Sequence, residues 1–275
     1  MTLKALRIDM VIPQFGTRTL RAIQQSSARE AFKPIPVRCG EDRVSQLAFF
    51  VRQWIDLQLL TCVRFLRPRL ARFHGDVLDV GCGAMPFRAL LPNDVHYQGI
   101  DVPVAGSFGM HSHPEIMIFD GVRIPFPDCS WDGILCTEVL EHASDPEVLI
   151  AEMQRVLRPG GILLLTVPFA ARVHHAPHDY HRFTRFRLQA LLAGFNVEIE
   201  ERGNDYAVIA NKLVVLNARL LTGGGLLKRL LVVPIVGVAL APLAALALIA
   251  AHISMLLHLG SKDDPLGYGC SAQKA

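Results

Sequence analysis

Short apolar runs rich in β-branched residues alternate with helical stretches through the middle of the chain. Each run is bounded by Gly, Pro or Asp, as strands commonly are. The predicted strands are Asp76–Val80, His96–Val102, Glu115–Asp120, Gly133–Thr137, Ile162–Val167, Val197–Arg202 and Tyr206–Leu213. Strands that alternate with helices favour a parallel sheet covered on both faces. The pattern therefore predicts an α/β fold with a doubly wound sheet.

Three helical segments have recognisable signals. Asp145 as N-cap and Pro146 at the first helical position begin one helix, which should end before Pro159-Gly160-Gly161. Thr184 begins a second helix. From Val44 to Phe73, Arg is interleaved with Val, Leu, Phe and Trp, as expected for a half-buried helix.

The polarity changes near the end of the chain. Leu230 to Ala251 is a run of 22 residues without Asp, Glu, Lys or Arg, which is long enough to cross a bilayer. Pro234, Gly237 and Pro242 lie inside it, so a kinked span or a shallow re-entrant hairpin stays open beside a straight helix. We expect membrane association and leave a complete crossing undecided.

Charge and cysteine usage indicate a cytoplasmic protein body. The net charge is +3, but the first 75 residues hold thirteen Lys or Arg against five Asp or Glu. This excess could meet anionic lipid or nucleic acid, although the interleaved apolar residues favour a solvated helix face, and no nucleic-acid partner is expected. Basic residues precede the apolar run, which keeps that side cytoplasmic. The six cysteines show no paired spacing and the N-terminus no apolar signal core, in agreement with this placement.

A candidate cofactor loop follows the first predicted strand. Asp79-Val80 leads into Gly81-Cys82-Gly83, where missing Cβ atoms let the chain turn sharply and let backbone approach a ligand. Asp101 ends the next strand, where a carboxylate can accept both ribose hydroxyl hydrogens. The third glycine of a dinucleotide fingerprint would fall on Pro86, which disfavours NAD or FAD. A nucleoside without phosphates fits better, and S-adenosylmethionine is the usual one.

Further motifs follow the loop in order. They are Gly99-Ile100-Asp101, Asp120–Phe126, Trp131-Asp132, Val139–His142 and Arg155–Gly161. With them, residues 77–168 resemble the core of class I methyltransferases of the type 11 family, which contains the ubiquinone and menaquinone biosynthesis enzymes. The resemblance covers roughly a third of the chain and is highly specific. One departure is Pro86-Phe87, where relatives more often carry small or polar residues.

The resemblance implies S-adenosylmethionine as the cofactor and assigns residues to each part of it. The implied residues are Asp79, Gly81, Cys82 and Gly83 around the methionine part, Asp101 at the ribose, Asp120 with Gly121 at the adenine, and Cys136–Glu138 closing the pocket.

These features divide the chain into four expected parts. They are an N-terminal basic helical cap (1–72), a Rossmann-like methyltransferase domain (73–220), a hydrophobic membrane segment (226–259) and a polar tail (260–275). The expected location is the membrane, with the catalytic domain on its cytoplasmic side, and the oligomeric state stays open.

Methyl transfer from a sulfonium needs alignment more than acid–base catalysis. A general base is required only for a weakly acidic acceptor, and the candidates are Glu138, His142 and a His/Asp cluster after the fifth strand. In that cluster His178 and Asp179 are the candidate catalytic residues, together with His142. His142 could equally be a helix-end or core histidine.

The cluster itself, residues 174–184, has three interpretations. It could be a cap that presents His178, Asp179 and Tyr180 to the acceptor, a metal site from His174 with His178, or a loop that leads into the helix at Thr184. No cysteine or second carboxylate completes a zinc set, so no metal is expected.

Three functional hypotheses remain at this point. The first is a membrane-associated methyltransferase acting on a hydrophobic or lipid-linked acceptor. The second is a catalytically silent binding or scaffold protein that retains the fold. The third is a nucleotide-dependent oxidoreductase, which Pro86 disfavours.

Overall fold

The computed structural model describes residues 35–40, 42–110, 113–222 and 236–275. Most of the basic N-terminal segment, and residues 226–235 of the expected membrane segment, lie outside the described residues.

The core of the molecule is a seven-stranded mixed sheet. Its strands are β1 (Asp76–Val80), β2 (His96–Asp101), β3 (Met117–Ile118), β4 (Trp131–Thr137), β5 (Leu157–Pro168), β6 (Phe195–Arg202) and β7 (Gly267–Lys274). Their spatial order is β3-β2-β1-β4-β5-β7-β6. The first five strands pair in parallel, whereas β7 runs antiparallel to both β5 and β6. The expected α/β doubly wound architecture is therefore present, but the sheet is mixed rather than wholly parallel.

Helices cover both faces of the sheet. They are α1 (Arg43–Ile55), α2 (Leu57–Leu70), α3 (Pro146–Val156), α4 (Arg185–Leu191), α5 (Asp205–Thr222) and α6 (Val238–Leu256). The caps predicted for α3 and α4 are present, since the backbone N–H of Val148 donates to Asp145 and that of Arg187 to Thr184. The helix expected over Val44–Phe73 is two helices, because Asp56 begins α2 by accepting from the N–H of Leu59.

The alternation of side chains along the strands builds one apolar core on each face. Leu163 and Leu165 of β5 pack with α3 and α4, while Leu164 between them packs against α2 on the other side. All three are completely buried. A strand buried on both faces has a continuous apolar sequence, as β5 does.

The structure differs from two expectations about the last part of the chain. Tyr206–Leu213, predicted as a strand, lies within α5, which begins where the N–H of Ala207 donates to Asn204 Oδ1 over 3.0 Å. The last strand is β7, inside the segment expected to be a polar tail. Its Gly, Ser and Ala residues lack strand character, but α2 packs close above them: a Cβ on Gly269 would lie 2.6 Å from Phe65.

The placement of β7 restricts how the apolar segment can meet a membrane. Along the chain, α5 and α6 lie between β6 and β7, and these two helices pack against each other. β6 and β7 themselves are neighbours in one sheet. The insertion, by which we mean the chain between β6 and β7, therefore leaves the sheet at Arg202 and returns to it at Gly267, which is paired with Arg202. A single complete crossing, one of the topologies left open by the sequence, is incompatible with this connection. Within the described ranges α6 alone has the length and composition of a membrane span.

Candidate active site

The glycine loop lies at the carboxyl end of β1. Gly81 and Gly83 have φ angles of +71° and +53°, the region that favours glycine, and a Cβ on Gly81 would collide with Val139. The N–H groups of Gly81 and Cys82 both donate to the carbonyl of Ile100, over 2.8 and 3.1 Å. The loop is thereby held against β2 with bare backbone at its surface.

Asp101 is fixed beside this loop. Its carboxylate accepts from the N–H of Gly83 over 3.0 Å and from the N–H of Val102 over 2.7 Å, and only 5% of the residue is exposed. Two backbone N–H groups thus hold this carboxylate in one orientation at the cavity wall.

The next acidic position is built differently. Asp120 is exposed, and its Oδ1 accepts from the N–H groups of Val122 and Arg123, both over 2.8 Å. These hydrogen bonds lower the pKa of its carboxyl. Gly121 beside it has a φ of +79°, and both residues line the same cavity as Gly81, Gly83 and Asp101.

Two other expected cofactor residues lie outside the cavity lining. Asp79 is 1% exposed and accepts a 2.6 Å hydrogen bond from the Tyr97 hydroxyl, and burial raises the pKa of its carboxyl to about 7. The side chain of Cys136 is buried in the core, whereas its neighbours Thr137 and Glu138 line the cavity. Cys82 lines the cavity as well.

The cavity has a volume of about 1070 Å³. This is at the upper end of the usual range for ligand pockets, about 300 to 1,000 Å³, so it has room for a cofactor together with an acceptor. It extends from the glycine loop past Asp101 to the histidines that follow β5, and then to helices α1 and α5. The lining contributed by α1 and α5 is Arg52, Ile55, Asn211, Lys212, Val214, Val215 and Ala218.

The three candidate catalytic residues have unequal access to this space. His142 and His178 line the cavity and are joined by a 2.6 Å hydrogen bond from His142 Nδ1 to the carbonyl of His178. Asp179 does not line it; its carboxylate is buried in a bidentate pair with Arg182, over 2.6 and 2.8 Å. Burial alone would raise the pKa of Asp179, but hydrogen bonds from Arg182 and His174 outweigh it and hold the pKa low.

The loop of residues 174–184, which we call the histidine loop, is held against the turn that contains His142. The N–H groups of Tyr180 and His181 donate to the carbonyl of Glu141 over 2.8 and 3.2 Å. Burial, and secondly the neighbouring His174, lower the pKa of His142. The same causes lower the pKa of His175 to about 4. Both imidazoles are therefore neutral at physiological pH.

Sequence reasoning missed a buried arginine behind the cavity wall. Arg202 of β6 donates to Glu138 Oε1 over 2.6 Å, to the carbonyl of Val167 over 3.0 Å and to the carbonyl of Tyr268 over 3.1 Å, and it also contacts the Cys62 thiol. The Glu138 carboxylate, one of the candidate bases, is therefore engaged in an ion pair with Arg202. Arg202 is 64 positions from Glu138, so no local pattern could signal it.

Known proteins match the part of the chain that carries the loop. Residues 78–165 match the family model described as a methyltransferase domain. The chain is 33% identical over 142 residues to the malonyl-[acyl-carrier protein] O-methyltransferase of Alcanivorax borkumensis, covering 43% of this chain and 47% of that protein. It is 28% identical over 145 residues to the ubiquinone biosynthesis O-methyltransferase of Xylella fastidiosa, covering 46% and 58%. The chain thus spans less than two thirds of these relatives.

One solved structure that the chain matches is a SAM-dependent methyltransferase from Archaeoglobus fulgidus. The two chains are 16% identical, the alignment covers 82% of this chain and 99% of that one, and the TM-score is 0.47.

The strand order, the glycine loop and the matched segment together define a class I S-adenosylmethionine-dependent methyltransferase domain. The domain is that of an enzyme, and its cofactor is S-adenosylmethionine. Within that class the matched segment, residues 78–165, is similar to the type 11 methyltransferases.

Proposed function

We propose that this protein transfers the methyl group of S-adenosylmethionine to a hydrophobic or lipid-linked acceptor at the cytoplasmic face of a membrane. The observation that carries the proposal is the position of the cavity: its far wall consists of residues on α1 and α5, beside the exposed apolar surface of α1 and α6. An acceptor with an apolar tail would reach the methyl donor from that side.

The cofactor half of the proposal assigns a role to each fixed group. Asp101 would hold the ribose hydroxyls, Gly81 and Gly83 would border the methionine part, and Asp120 with Gly121 would meet the adenine. The geometry suits these roles because Asp101 is already oriented by two N–H donors. Asp79 would act by supporting the loop from behind rather than by touching the cofactor, since it lies outside the cavity lining.

The acceptor half needs alignment and a dry environment. Methyl transfer is an in-line displacement, so the enclosed cavity would hold acceptor and sulfonium in contact. His142 and His178 both line it, and they are the side chains placed to contact a hydroxyl acceptor. Asp179 is better described as a positioning residue, because Arg182 and His174 occupy its carboxylate.

The membrane half rests on one apolar surface, which we call the α1–α6 face. It is formed by Val44, Leu47, Phe50 and Trp54 of α1 with Leu243, Leu246, Ile249, Ile253 and Leu256 of α6, each at least 48% exposed. The two helices meet where His252 Nε2 donates to the carbonyl of Trp54 over 3.0 Å and the two rings lie 5.1 Å apart. A contiguous surface of this kind marks a binding site, and apolar helices beside basic residues bind the interfacial layer of a bilayer.

The cofactor assignment is tested by calorimetric titration of the full chain with S-adenosylhomocysteine. We expect one saturable site and at least a tenfold weaker affinity in Asp101→Ala. The matched control is Asp94→Ala, an exposed aspartate in the loop before β2. No heat from folded wild-type protein would overturn the proposal in favour of a silent scaffold.

The membrane assignment is tested by flotation with vesicles of phosphatidylcholine and phosphatidylglycerol. The wild type should float with the vesicles, and the double variant Leu246→Glu, Ile249→Glu should stay in the bottom fraction. Phe186→Glu, on α4 and 79% exposed, is the control and should float like the wild type. Equal flotation of the double variant would contradict the role of the α1–α6 face.

The acceptor class is tested with the labelled methyl donor and membrane extract. Label should accumulate in the organic phase after solvent extraction and should be absent with Asp101→Ala. Label confined to the aqueous phase would identify a soluble acceptor instead.

A further inference from the structure

Three histidines meet in the wall of the cavity at its acceptor end. One ring nitrogen from each of His142, His174 and His175 lies within 4.8 Å of the others. All three residues line the cavity. His142 comes from the turn after β4, whereas the other two come from the loop after β5, so two parts of the fold build the cluster.

The hydrogen bonds of His142 fix the position of its lone pair. Its Nδ1 lies 2.6 Å from the carbonyl oxygen of His178, and a carbonyl can only accept, so Nδ1 carries the proton. The unprotonated nitrogen is then Nε2. It lies 3.6 Å from Oε1 of Glu141.

The same reasoning applies to His174. Its Nδ1 faces two acceptors, the carbonyl of Arg172 at 3.1 Å and Asp179 Oδ2 at 3.2 Å, so Nδ1 is the donor. The lone pair on Nε2 therefore points the other way, 3.8 Å from the same Oε1 of Glu141. The Nε2 atoms of His142 and His174 therefore lie 3.6 and 3.8 Å from the same carboxylate oxygen.

Glu141 is the second, independent observation. The residue is completely buried, and in the described part of the chain neither of its carboxylate oxygens has a hydrogen-bond donor. A buried carboxylate without a donor is costly, and buried charges are normally paired or bound to metal. A cation between Glu141 and the two Nε2 atoms would satisfy all three acceptors.

We propose that His142, His174 and Glu141 form a binding site for a divalent transition metal, most simply Zn²⁺, with His175 as a fourth donor. Two imidazoles with one carboxylate are a common protein donor set for zinc. A tetrahedral zinc places its donors about 3.3 Å apart. The 3.6 and 3.8 Å separations therefore need only a small side-chain movement.

The surroundings of the cluster match those of known metal sites. A metal-binding imidazole usually donates its other ring N–H to a carboxylate or a backbone carbonyl, which sets its orientation. His174 has Asp179 in that position and His142 has the carbonyl of His178. Asp179 is held in turn by Arg182. From the sequence, His174 and His178 lacked a carboxylate to complete a zinc set. In the folded protein Glu141 is the carboxylate beside His174, and the second histidine is His142 rather than His178.

The test uses Co²⁺ as the probe, because its visible absorption reports nitrogen and oxygen ligation directly. Full-length protein is stripped with a chelator and titrated with Co²⁺. We expect ligand-field bands that saturate at one Co²⁺ per chain and disappear when Zn²⁺ is added. His174→Ala and the isosteric Glu141→Gln should each weaken Co²⁺ binding at least tenfold.

The matched control is His178→Ala, which removes an imidazole from the same loop but not from the converging set, and it should bind Co²⁺ like the wild type. Retained S-adenosylhomocysteine binding verifies that each variant is folded. If His174→Ala does not fold, Glu141→Gln alone decides. Wild-type protein that binds S-adenosylhomocysteine but gives no Co²⁺ bands would overturn the proposal and assign a proton, not a metal, to Glu141. Unchanged Co²⁺ binding in Glu141→Gln would also overturn it.

Discussion

The two ends of the cavity are built in opposite ways: the end at the glycine loop, where we propose the cofactor binds (the cofactor end), and the end at α1, α5 and the histidines, where we propose the acceptor binds (the acceptor end). At the cofactor end, adjacent strands hold each group through backbone hydrogen bonds, as when the N–H of Gly83 fixes Asp101. At the acceptor end the walls come from segments far apart in the chain, including α1, the loop after β5 and α5.

From this difference we infer that the two ends tolerate sequence change to different degrees. The cofactor end is determined by backbone geometry and a few glycines, which tolerate little change. The acceptor end depends on long-range side-chain contacts, such as that of Arg202 with Glu138, and on an insertion between β6 and β7. We therefore expect substitutions at the acceptor end to leave the glycine loop in place.

The largest effect should come from the ion pair of the buried Arg202 with the partly buried Glu138, behind the acceptor end of the cavity. Arg202→Met leaves the Glu138 carboxylate with only the 3.6 Å contact of the Cys62 thiol, and it removes the hydrogen bonds to the carbonyls of Val167 and Tyr268. Removing one partner of a buried pair costs about 3 kcal/mol. Urea unfolding should show this loss. Arg69→Met, which breaks an ion pair with the half-exposed Glu200, should cost less than about 1 kcal/mol. Equal losses would mean that burial does not distinguish the two pairs.

A slightly smaller effect is expected at the cofactor end. Gly81→Ala places a Cβ against Val139 at a φ of +71°, so overpacking adds to backbone strain and the loss should be about 2 to 3 kcal/mol. Binding of S-adenosylhomocysteine should also weaken. Gly160→Ala has a similar φ of +78° with nothing within 4 Å of the added Cβ, so it should cost only about 1 kcal/mol. A loss as small as that of the control would refute close packing at the loop.

The contrast between the two ends also explains what could be predicted from the sequence. The glycine loop, Asp101 and the first six strands depend on local periodicity and turn chemistry, and the structure has these strands at or near the expected positions. The α3 cap at Asp145 was confirmed as well. Short-range signals were sufficient because the contacts themselves are short-range.

The elements that could not be predicted depend on tertiary contacts. β7 is rich in Gly, Ser and Ala, which lack strand character, and it forms a strand because β5 and β6 flank it and α2 packs above it. Tyr206–Leu213 has β-branched and aromatic residues, yet Asn204 caps it as a helix. Likewise, the convergence of His142 with His174 depends on two loops that are adjacent only after folding.

A third prediction concerns how the stability of the folded protein depends on pH through Asp79, which lies below the glycine loop at the cofactor end. The pKa of Asp79 is raised to about 7, mainly by burial, so the folded state holds a proton that the unfolded chain releases near pH 4. The stabilising contribution is therefore complete below pH 4 and is lost as the pH rises through 7. Stability should fall by about 2 kcal/mol between pH 5 and 7 through this group. In Asp79→Asn that part of the pH dependence should disappear, as measured by urea unfolding across the range. An unchanged pH profile would show that Asp79 is ionised in the folded state.

The smallest effect should come from the cap that ends the histidine loop. Thr184→Ala removes the acceptor for the N–H of Arg187 at the start of α4, a loss of about 1 kcal/mol, whereas Thr184→Ser keeps it. Because α4 has seven residues, its first turn is a large part of the helix, and weakening it should speed amide hydrogen exchange in residues 178–184. Affinity for S-adenosylhomocysteine should not change, since the loop at Gly81 is held by β2 and not by α4. If exchange increases at the glycine loop as well, the two ends open as one unit and the acceptor end has no independent stability.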